Sequence, residues 1–393
     1  EIRSSDWSSD VCSSDLITKE DIIRGSFTPK FKVKVTDGNK VLQEFTYSGK
    51  EIPLPSDNPI ATKLPQTIPS LDSWKTNTNA NDVFKLSPDT VVYYPAGFEA
   101  QAQIVVQELN AYLKAAGQAQ TVRAQAAGGA TPKAHDVVIT LDTAQQNKLA
   151  EEGYSLQIDA QGVNITAAQK RGAFWGTRTL SQMLRQQLTL PYGSAFDQPQ
   201  QRERAVTLCA CRIKNQPDYI HRMLTDMADL KMNQVILTAK MESAKEPVTN
   251  NYSYYTKEEL KGIVAYADKL GIEVVPQMGA PGHMDPKIHN LPQYQLKKTD
   301  GTLDNDRLDI TNPEAVAFYK RQIEDYLEVF PSKYWHMAGD EYMYRSAYKN
   351  YPVFGPNGVN GPKLFVDFIN DINKYVKSKG KTLRVWNDGL KQE

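Results

Sequence analysis

Cysteine is nearly absent from this chain: three occur among 393 residues, at Cys12, Cys209 and Cys211. Their number and spacing exclude a disulfide framework and a structural zinc site. Cys209 and Cys211 stand two apart in an apolar run and are expected to pack as two small buried hydrophobes. Net charge is also absent, with 46 basic and 46 acidic residues. No nucleic-acid partner is expected, because such a partner calls for a basic excess. No apolar run approaches the roughly 18 residues of a helical membrane span, so none is expected. The first residues lack the charged start and apolar centre of a signal peptide. Instead, Glu1–Leu16 repeats Ser-Ser-Asp three times.

That tract resembles translated sequencing-adapter sequence and is set apart from fold reasoning. The natural N-terminus, with any signal peptide, is then expected to lie outside this chain. With 40% hydrophobic and 23% charged residues, the remainder has the balance of a globular protein with a sizeable core.

Residues 17–66 carry alternating runs, "FKVKVTD" and "VLQEFTYSG", and read as a β-rich segment. Residues 67–201 mix strand-like runs ("TVVYYP", "HDVVITLD", "YSLQID", "GVNITAA") with two helical ones and read as a small α+β domain. From about residue 202 to 393 strands and helices alternate. The runs "AVTLCACR", "NQVILTA", "GIEVVPQM", "YWHMAG" and "TLRVWND" are strands, and the stretches between them have helical periodicity. Thr256-x-x-Glu259 opens one helix as a capping box, and Gly271 closes it.

Continuous apolar strands alternating with helices imply a parallel α/β sheet covered by helices. The loops after the strands are long and aromatic, and those before them are short. This asymmetry suits a (β/α)8 barrel, with its site at the C-terminal strand ends, and equally a doubly wound sheet. About five strands are legible, where a closed barrel needs eight.

Chemistry-bearing residues gather at those strand ends: Arg212, the Pro281-Gly282-His283 run, the adjacent carboxylates Asp340 and Glu341, and Trp386-Asn387-Asp388. Each has a plain structural alternative: a surface ion pair for Arg212, a structural role for His283, core packing for Trp386. His336 reads as a packed strand residue. Their coincidence on four strand ends favours a site. A phosphate-binding loop is rejected, because Gly380-Lys381-Thr382 follows a helix and Tyr375 occupies the first glycine position. His289 and Asp285 are metal-capable types but form no ligand set, and no metal or other cofactor is expected.

The pattern resembles glycoside hydrolase family 20. The family's His-x-Gly-Gly-Asp-Glu signature reads His336-Met337-Ala338-Gly339-Asp340-Glu341, and its Pro-Gly-His reads Pro281-Gly282-His283. "GAFWGTRTLSQML" looks like part of the domain that precedes the family's barrel. "LDITNPEA" and "HMAGDEY" look like the lacto-N-biosidase-type branch. The resemblance spans about residues 67–393 and implies a TIM-type (β/α)8 barrel, here incomplete, with about five of its eight strands.

It also implies substrate-assisted retaining hydrolysis of terminal β-linked N-acetylhexosamine. In that chemistry the sugar's own acetamido oxygen attacks the anomeric carbon. Asp340 would hold the acetamido group, and Glu341 would be the acid and then the base. An ionised Asp340 is expected to favour the protonated form of Glu341. Arg212, His283, Trp386 and Asp388 would contact or support the sugar. The partner implied is an oligosaccharide or glycoconjugate bearing N-acetylhexosamine, in an extracellular or periplasmic setting. Lacto-N-biosidase activity and a non-catalytic glycan-binding role are the alternatives. A related chitinase signature, Asp-x-x-Asp-x-Asp-x-Glu, is missing.

The chain departs from the family at three places: Met241 stands where an acid usually supports the histidine, Gln277 where glutamate is frequent, and Ala338 where glycine is usual. The tyrosine and tryptophan of the family's later strands have no counterpart. The chain as written is therefore expected to be a C-terminally truncated fragment that folds poorly and has little activity.

Overall fold

The computed structural model describes residues 64–77, 82–128, 131–211, 213–242 and 253–391, and the backbone of four short strands before them. Among those strands, Lys30–Asp37 pairs antiparallel with Lys40–Ser48. The tract Glu1–Leu16 and Arg212 lie outside the described residues. The chain divides into two compact units, Glu1–Gln200 and Gln201–Glu393.

The first unit holds a seven-stranded mixed sheet. Its order is Lys75–Thr76, Gly193–Asp197, Tyr154–Asp159, Gly162–Ala167, Val137–Leu141, Val91–Tyr94 and Arg123–Ala126. Helices Glu99–Ala115 and Lys170–Gln186 pack on this sheet and on each other. Val105, Leu109 and Leu113 bury one stripe of the first helix, as their spacing predicts.

The second unit is an all-parallel five-stranded sheet. Its strands are β1 (Ala205–Ala210), β2 (Gln234–Ala239), β3 (Glu273–Gln277), β6 (Tyr334–His336) and β7 (Thr382–Arg384), in that order across the sheet. The intervening helices are α1 (Pro217–Asp229), α2 (Lys257–Lys269), α3 (Pro313–Leu327) and α4 (Gly361–Ser378). Proline opens the first turn of α1, α3 and α4, where its missing N–H costs nothing. Both arms of the α2 capping box form: Thr256 Oγ1 accepts from Glu259 N, and Glu259 accepts from Thr256 N.

Interior strand β2 is apolar without alternation and buried at Val235, Ile236 and Leu237, because helices cover it. The apolar stripes of α3 (Phe318, Tyr319, Ile323, Tyr326) and α4 (Phe365, Phe368, Ile372, Val376) are buried too. Each such side chain contributes about 1.5–3 kcal/mol. Tyr326 also fastens the end of β2. Its hydroxyl donates to Ala239 O at 2.6 Å and accepts from Met241 N at 3.1 Å.

The stretch between β3 and α3, expected as loop, contains an antiparallel hairpin of β4 (Gln295–Lys297) and β5 (Leu303–Leu308). Its short strands carry too little apolar periodicity to stand out. Cys209 and Cys211 correct the expectation of two buried thiols. They form a disulfide with Cα atoms 5.1 Å apart, and Cys209 is exposed. The period-two rule puts both side chains on one face, and the bend after Ala210 brings them together.

Candidate active site

Strand β6 ends at His336, and the ladder continues past it. Met278 N donates to His336 O, Ala280 N to Met337 O, and Trp386 N to Ala338 O, at 3.1, 3.0 and 2.7 Å. Neighbouring strand ends on both sides thus fix the corner that follows. That corner is strained: Ala338, Gly339 and Glu341 have φ of 61°, 82° and 49°, and facing His283 has 57°. Side chains held in the left-handed region cost on the order of 1–3 kcal/mol each and concentrate at functional sites. Ala338 takes this conformation in place of the family's glycine.

Gly282 lets the two segments meet. A Cβ there would lie 3.1 Å from Tyr342 Cα and 3.2 Å from Asp340 O. The hairpin grips the same corner from its other side. Arg307 Nε donates to Tyr342 O at 2.6 Å, Tyr342 Oη donates to Leu308 O at 3.0 Å, and Leu308 N donates to Pro281 O at 2.8 Å. Arg307 is held by Asp304, which also accepts from Tyr351 Oη.

The result brings His283, Asp340 and Glu341 together. His283 Nε2 lies 3.3 Å from Glu341 and 3.6 Å from Asp340. Although Glu341 is nearer, its side chain is 64% exposed and screened by water, whereas that of Asp340 is 27% exposed. Asp340 therefore dominates the pair. Its hydrogen bond and charge raise the His283 pKa, and the same hydrogen bond lowers that of Asp340. Asp340 Oδ1 is buried and has no hydrogen-bond partner among the described residues. His336, which lines neither cavity described below, is buried. Its Nδ1 accepts from Ala338 N, and burial holds its pKa down at about 4.

Two cavities adjoin the cluster. One, of about 340 Å³, is lined by Asp340, Thr238, Gln277 and the Cys209–Cys211 disulfide. Thr238 and Gln277, like Asp340, each have a buried oxygen without a partner among the described residues. The other, of about 680 Å³, is lined by Glu341 and the hairpin. His283 and Asp306 line both. Neither is lined by Trp386 or Asp388. Trp386 is half-buried with its ring 4.5 Å from that of His336, and Asp388 is exposed at the start of a one-turn helix.

The hairpin residues Asp304, Asp306 and Arg307 went unnoticed in the sequence. Asp306 is the carboxylate beyond the Asp340–Glu341 pair whose charge raises the His283 pKa, while Met241 is buried and Glu242 is exposed. "LDNDRL" is apolar only at its two ends and gives no strand signal that would have found them.

Single ligand atoms of His283, Asp340 and Glu341 lie within 4.8 Å of one another, so these three could hold a cation. Asp285 and His289 instead pair with each other at 2.8 Å, and Asn305 reaches both.

Lys287 lines the smaller cavity fully buried and donates to Met241 O at 3.1 Å. Burial lowers its pKa to about 7. The unfolded chain then binds more protons than the folded one between about pH 7 and the ordinary lysine value near 10.4, so stability rises with pH across that window. Lys287→Met is expected to stabilise the protein at pH 7 by on the order of 2 kcal/mol and to flatten that rise. Urea midpoints at pH 7 and 9.5 measure both. An unchanged pH slope would show that Lys287 is not the titrating group.

Residues 64–198 match the model of glycosyl hydrolase family 20 domain 2, and residues 231–393 match the family 20 catalytic domain. A lacto-N-biosidase of Bifidobacterium bifidum is 42% identical over 342 residues, covering 84% of this chain and 30% of its own length. A β-hexosaminidase of Porphyromonas gingivalis is 26% identical over 301 residues, 67% of this chain and 38% of its own length. The chain thus spans well under half the length of these curated relatives. Among solved structures, a β-N-acetylhexosaminidase from Bacteroides fragilis superposes with a TM-score of 0.66 at 18% identity, over 84% of this chain and 67% of the other. A Streptomyces plicatus β-hexosaminidase mutant in complex with GlcNAc gives 0.66 at 21%, with the same coverage. These structural likenesses establish the shared fold; together with the two matching family models and the sequence relatives, they establish that the chain belongs to glycoside hydrolase family 20.

Proposed function

We propose that this chain carries the machinery that cleaves the glycosidic bond of a β-linked N-acetylhexosamine, by retaining hydrolysis in which the substrate's acetamido oxygen is the nucleophile. The carrying observation is the different setting of the two carboxylates. Asp340, held ionised by His283, has a buried oxygen with no partner among the described residues beside one cavity, and Glu341 stands exposed beside the next. An acetamido N–H would satisfy that oxygen, and the carboxylate would stabilise the oxazolinium ion as positive charge develops. Glu341 protonates the leaving oxygen and then takes a proton from water.

His283 holds Asp340 charged. On the family resemblance alone, Arg212 and Asp388 are assigned to sugar hydroxyls and Trp386 to an apolar pocket wall, although Trp386 and Asp388 line neither cavity. The five parallel strands are read as part of a (β/α)8 barrel. Their strand–helix alternation, with the cluster at C-terminal strand ends, supports this. An extracellular or periplasmic setting is part of this reading, and a Cys209–Cys211 disulfide accords with it.

The 42% identity with a lacto-N-biosidase favours release of a disaccharide over a single sugar. Both reactions break the same bond, so the mechanism is common to them. The full-length protein, given 4-nitrophenyl β-glycosides of N-acetylglucosamine, N-acetylgalactosamine and lacto-N-biose, is expected to prefer the last by about tenfold or more in kcat/KM. NMR of the first product should show the β-anomer. Release of the α-anomer, or no turnover of any of the three, would overturn the mechanism. Preference for a monosaccharide would overturn only the disaccharide reading.

A further inference from the structure

The chemistry proposed above leaves the Cys209–Cys211 disulfide without a role, yet this bond is a wall of the cavity that Asp340 faces. Both cysteines line that space of about 340 Å³, together with Thr238 and Gln277. Resting on that function, we propose that the disulfide is a redox-sensitive modification site. A small thiol opens it at Cys209, and its opening weakens binding of the sugar.

The bond shortens the end of β1. Extended residues rise about 3.2–3.4 Å each, which puts Cα atoms two residues apart about 6.5 Å from one another. Those of Cys209 and Cys211 are 5.1 Å apart. Up to Ala210 the register with β2 is regular, with Cys209 opposite Thr238 and Ala210 opposite Ala239, and Cys211 sits in the bend. Two thiols cannot stay at bonding distance, so the reduced strand end must lengthen toward the ordinary rise, by about 1 Å.

That movement falls on the cavity. Thr238 is the ladder partner of Cys209, and Gln277 is the ladder partner of Thr238. Both line the cavity with buried oxygens that have no partner among the described residues. The volume is near the lower end of ordinary small-ligand sites, roughly 300–1,000 Å³, so there is little spare room to absorb a shifted wall. Misplacement of binding groups by about 1 Å costs on the order of 10²-fold where it reaches the reacting atoms, and less at a wall.

The sulfurs are open to a reagent. Cys209 is exposed and Cys211 half-buried, while Ala210 between them is buried. A thiolate attacks Cys209 Sγ, the S–S bond breaks, and its electron pair leaves on Cys211, which takes a proton. A second thiolate then attacks the reagent's sulfur in the mixed disulfide, and Cys209 leaves and is protonated in turn. The protein disulfide gains two electrons and two protons, and two reagent thiols become one disulfide.

Dithiothreitol, added to the folded full-length protein, tests the proposal. Iodoacetamide labelling and peptide mass spectrometry should find Cys209 and Cys211 alkylated without denaturant. In a parallel sample, kcat/KM on the preferred 4-nitrophenyl β-glycoside should fall about tenfold, mainly through KM, and return on reoxidation with diamide. The double variant Cys209→Ser, Cys211→Ser should show the low value with and without dithiothreitol. Cysteines that resist alkylation until the protein is denatured overturn the site. Complete alkylation with unchanged kcat/KM, or a dithiothreitol-induced loss that persists in the double variant, overturns the link to sugar binding. If the parent turns over no glycoside in either state, the functional reading falls and that link with it, while the alkylation result still decides the modification site.

Discussion

Replacing Glu341 by glutamine is expected to lower kcat/KM by about 10²–10⁴-fold on a substrate with a sugar leaving group, the usual worth of a positioned general acid. Glutamine keeps the size and the planar end of the side chain, so the strained corner from Ala338 to Glu341 has no new reason to move. It cannot give up a proton. The size of the loss should depend on the leaving group. A sugar alkoxide needs a proton as the bond breaks, whereas dinitrophenolate departs nearly unaided, so the first step on a dinitrophenyl glycoside should suffer far less. The second step still lacks its base. Turnover on that activated substrate should therefore start with a burst and be rescued by azide, which attacks without deprotonation. Stopped-flow release of dinitrophenol and isolation of a β-glycosyl azide measure both effects. Equal losses on sugar and dinitrophenyl substrates, with no azide product, would show that Glu341 is not the acid and base.

Much of this site was legible in the sequence because it depends on local rules. Apolar runs of strand length placed β2, β3 and β6, proline and capping residues placed the starts of the helices, and the carboxylate pair stood where a strand meets its loop. The hairpin was not legible. Residues Leu303 to Leu308 are mostly polar, and their strand character comes from pairing with Gln295–Lys297 and from the bonds of Arg307, Asp304 and Tyr351, none of which is close in sequence to Glu341. The same holds for Asp306. It reaches His283 through the fold, far in sequence from the end of β2, where the family's supporting acid is expected and Met241 stands. The cysteines failed for a different reason. Hydrophobic burial is the commoner fate of free cysteine, but a bend after Ala210 brings two same-face side chains into bonding range.

Asp340→Asn is expected to cost about 10²–10³-fold in kcat, the scale on which removal of a preorganised charge partner acts. Asparagine preserves shape and hydrogen-bonding capacity, so the loss isolates charge. At neutral pH Asp340 is ionised, because His283 holds its pKa below the ordinary carboxylate value, and it in turn holds His283 above the ordinary imidazole value. The sign of the pH effect follows. The stabilisation tied to Asp340 is present above about pH 3.9 and fades as pH falls through its lowered folded value. That tied to His283 is present below about pH 6.5 and fades as pH rises through its raised folded value. Both operate together between those limits, and the asparagine variant should lose this window. Its His283 should titrate at lower pH, measurable from the imidazole resonances. The kinetic pattern should also be the reverse of that for Glu341. Asp340 acts on the acetamido group as it attacks, before the nature of the leaving group matters, so Asp340→Asn should slow sugar and dinitrophenyl substrates by similar factors. A loss confined to poor leaving groups would mean that the two carboxylates do not divide the work in this way.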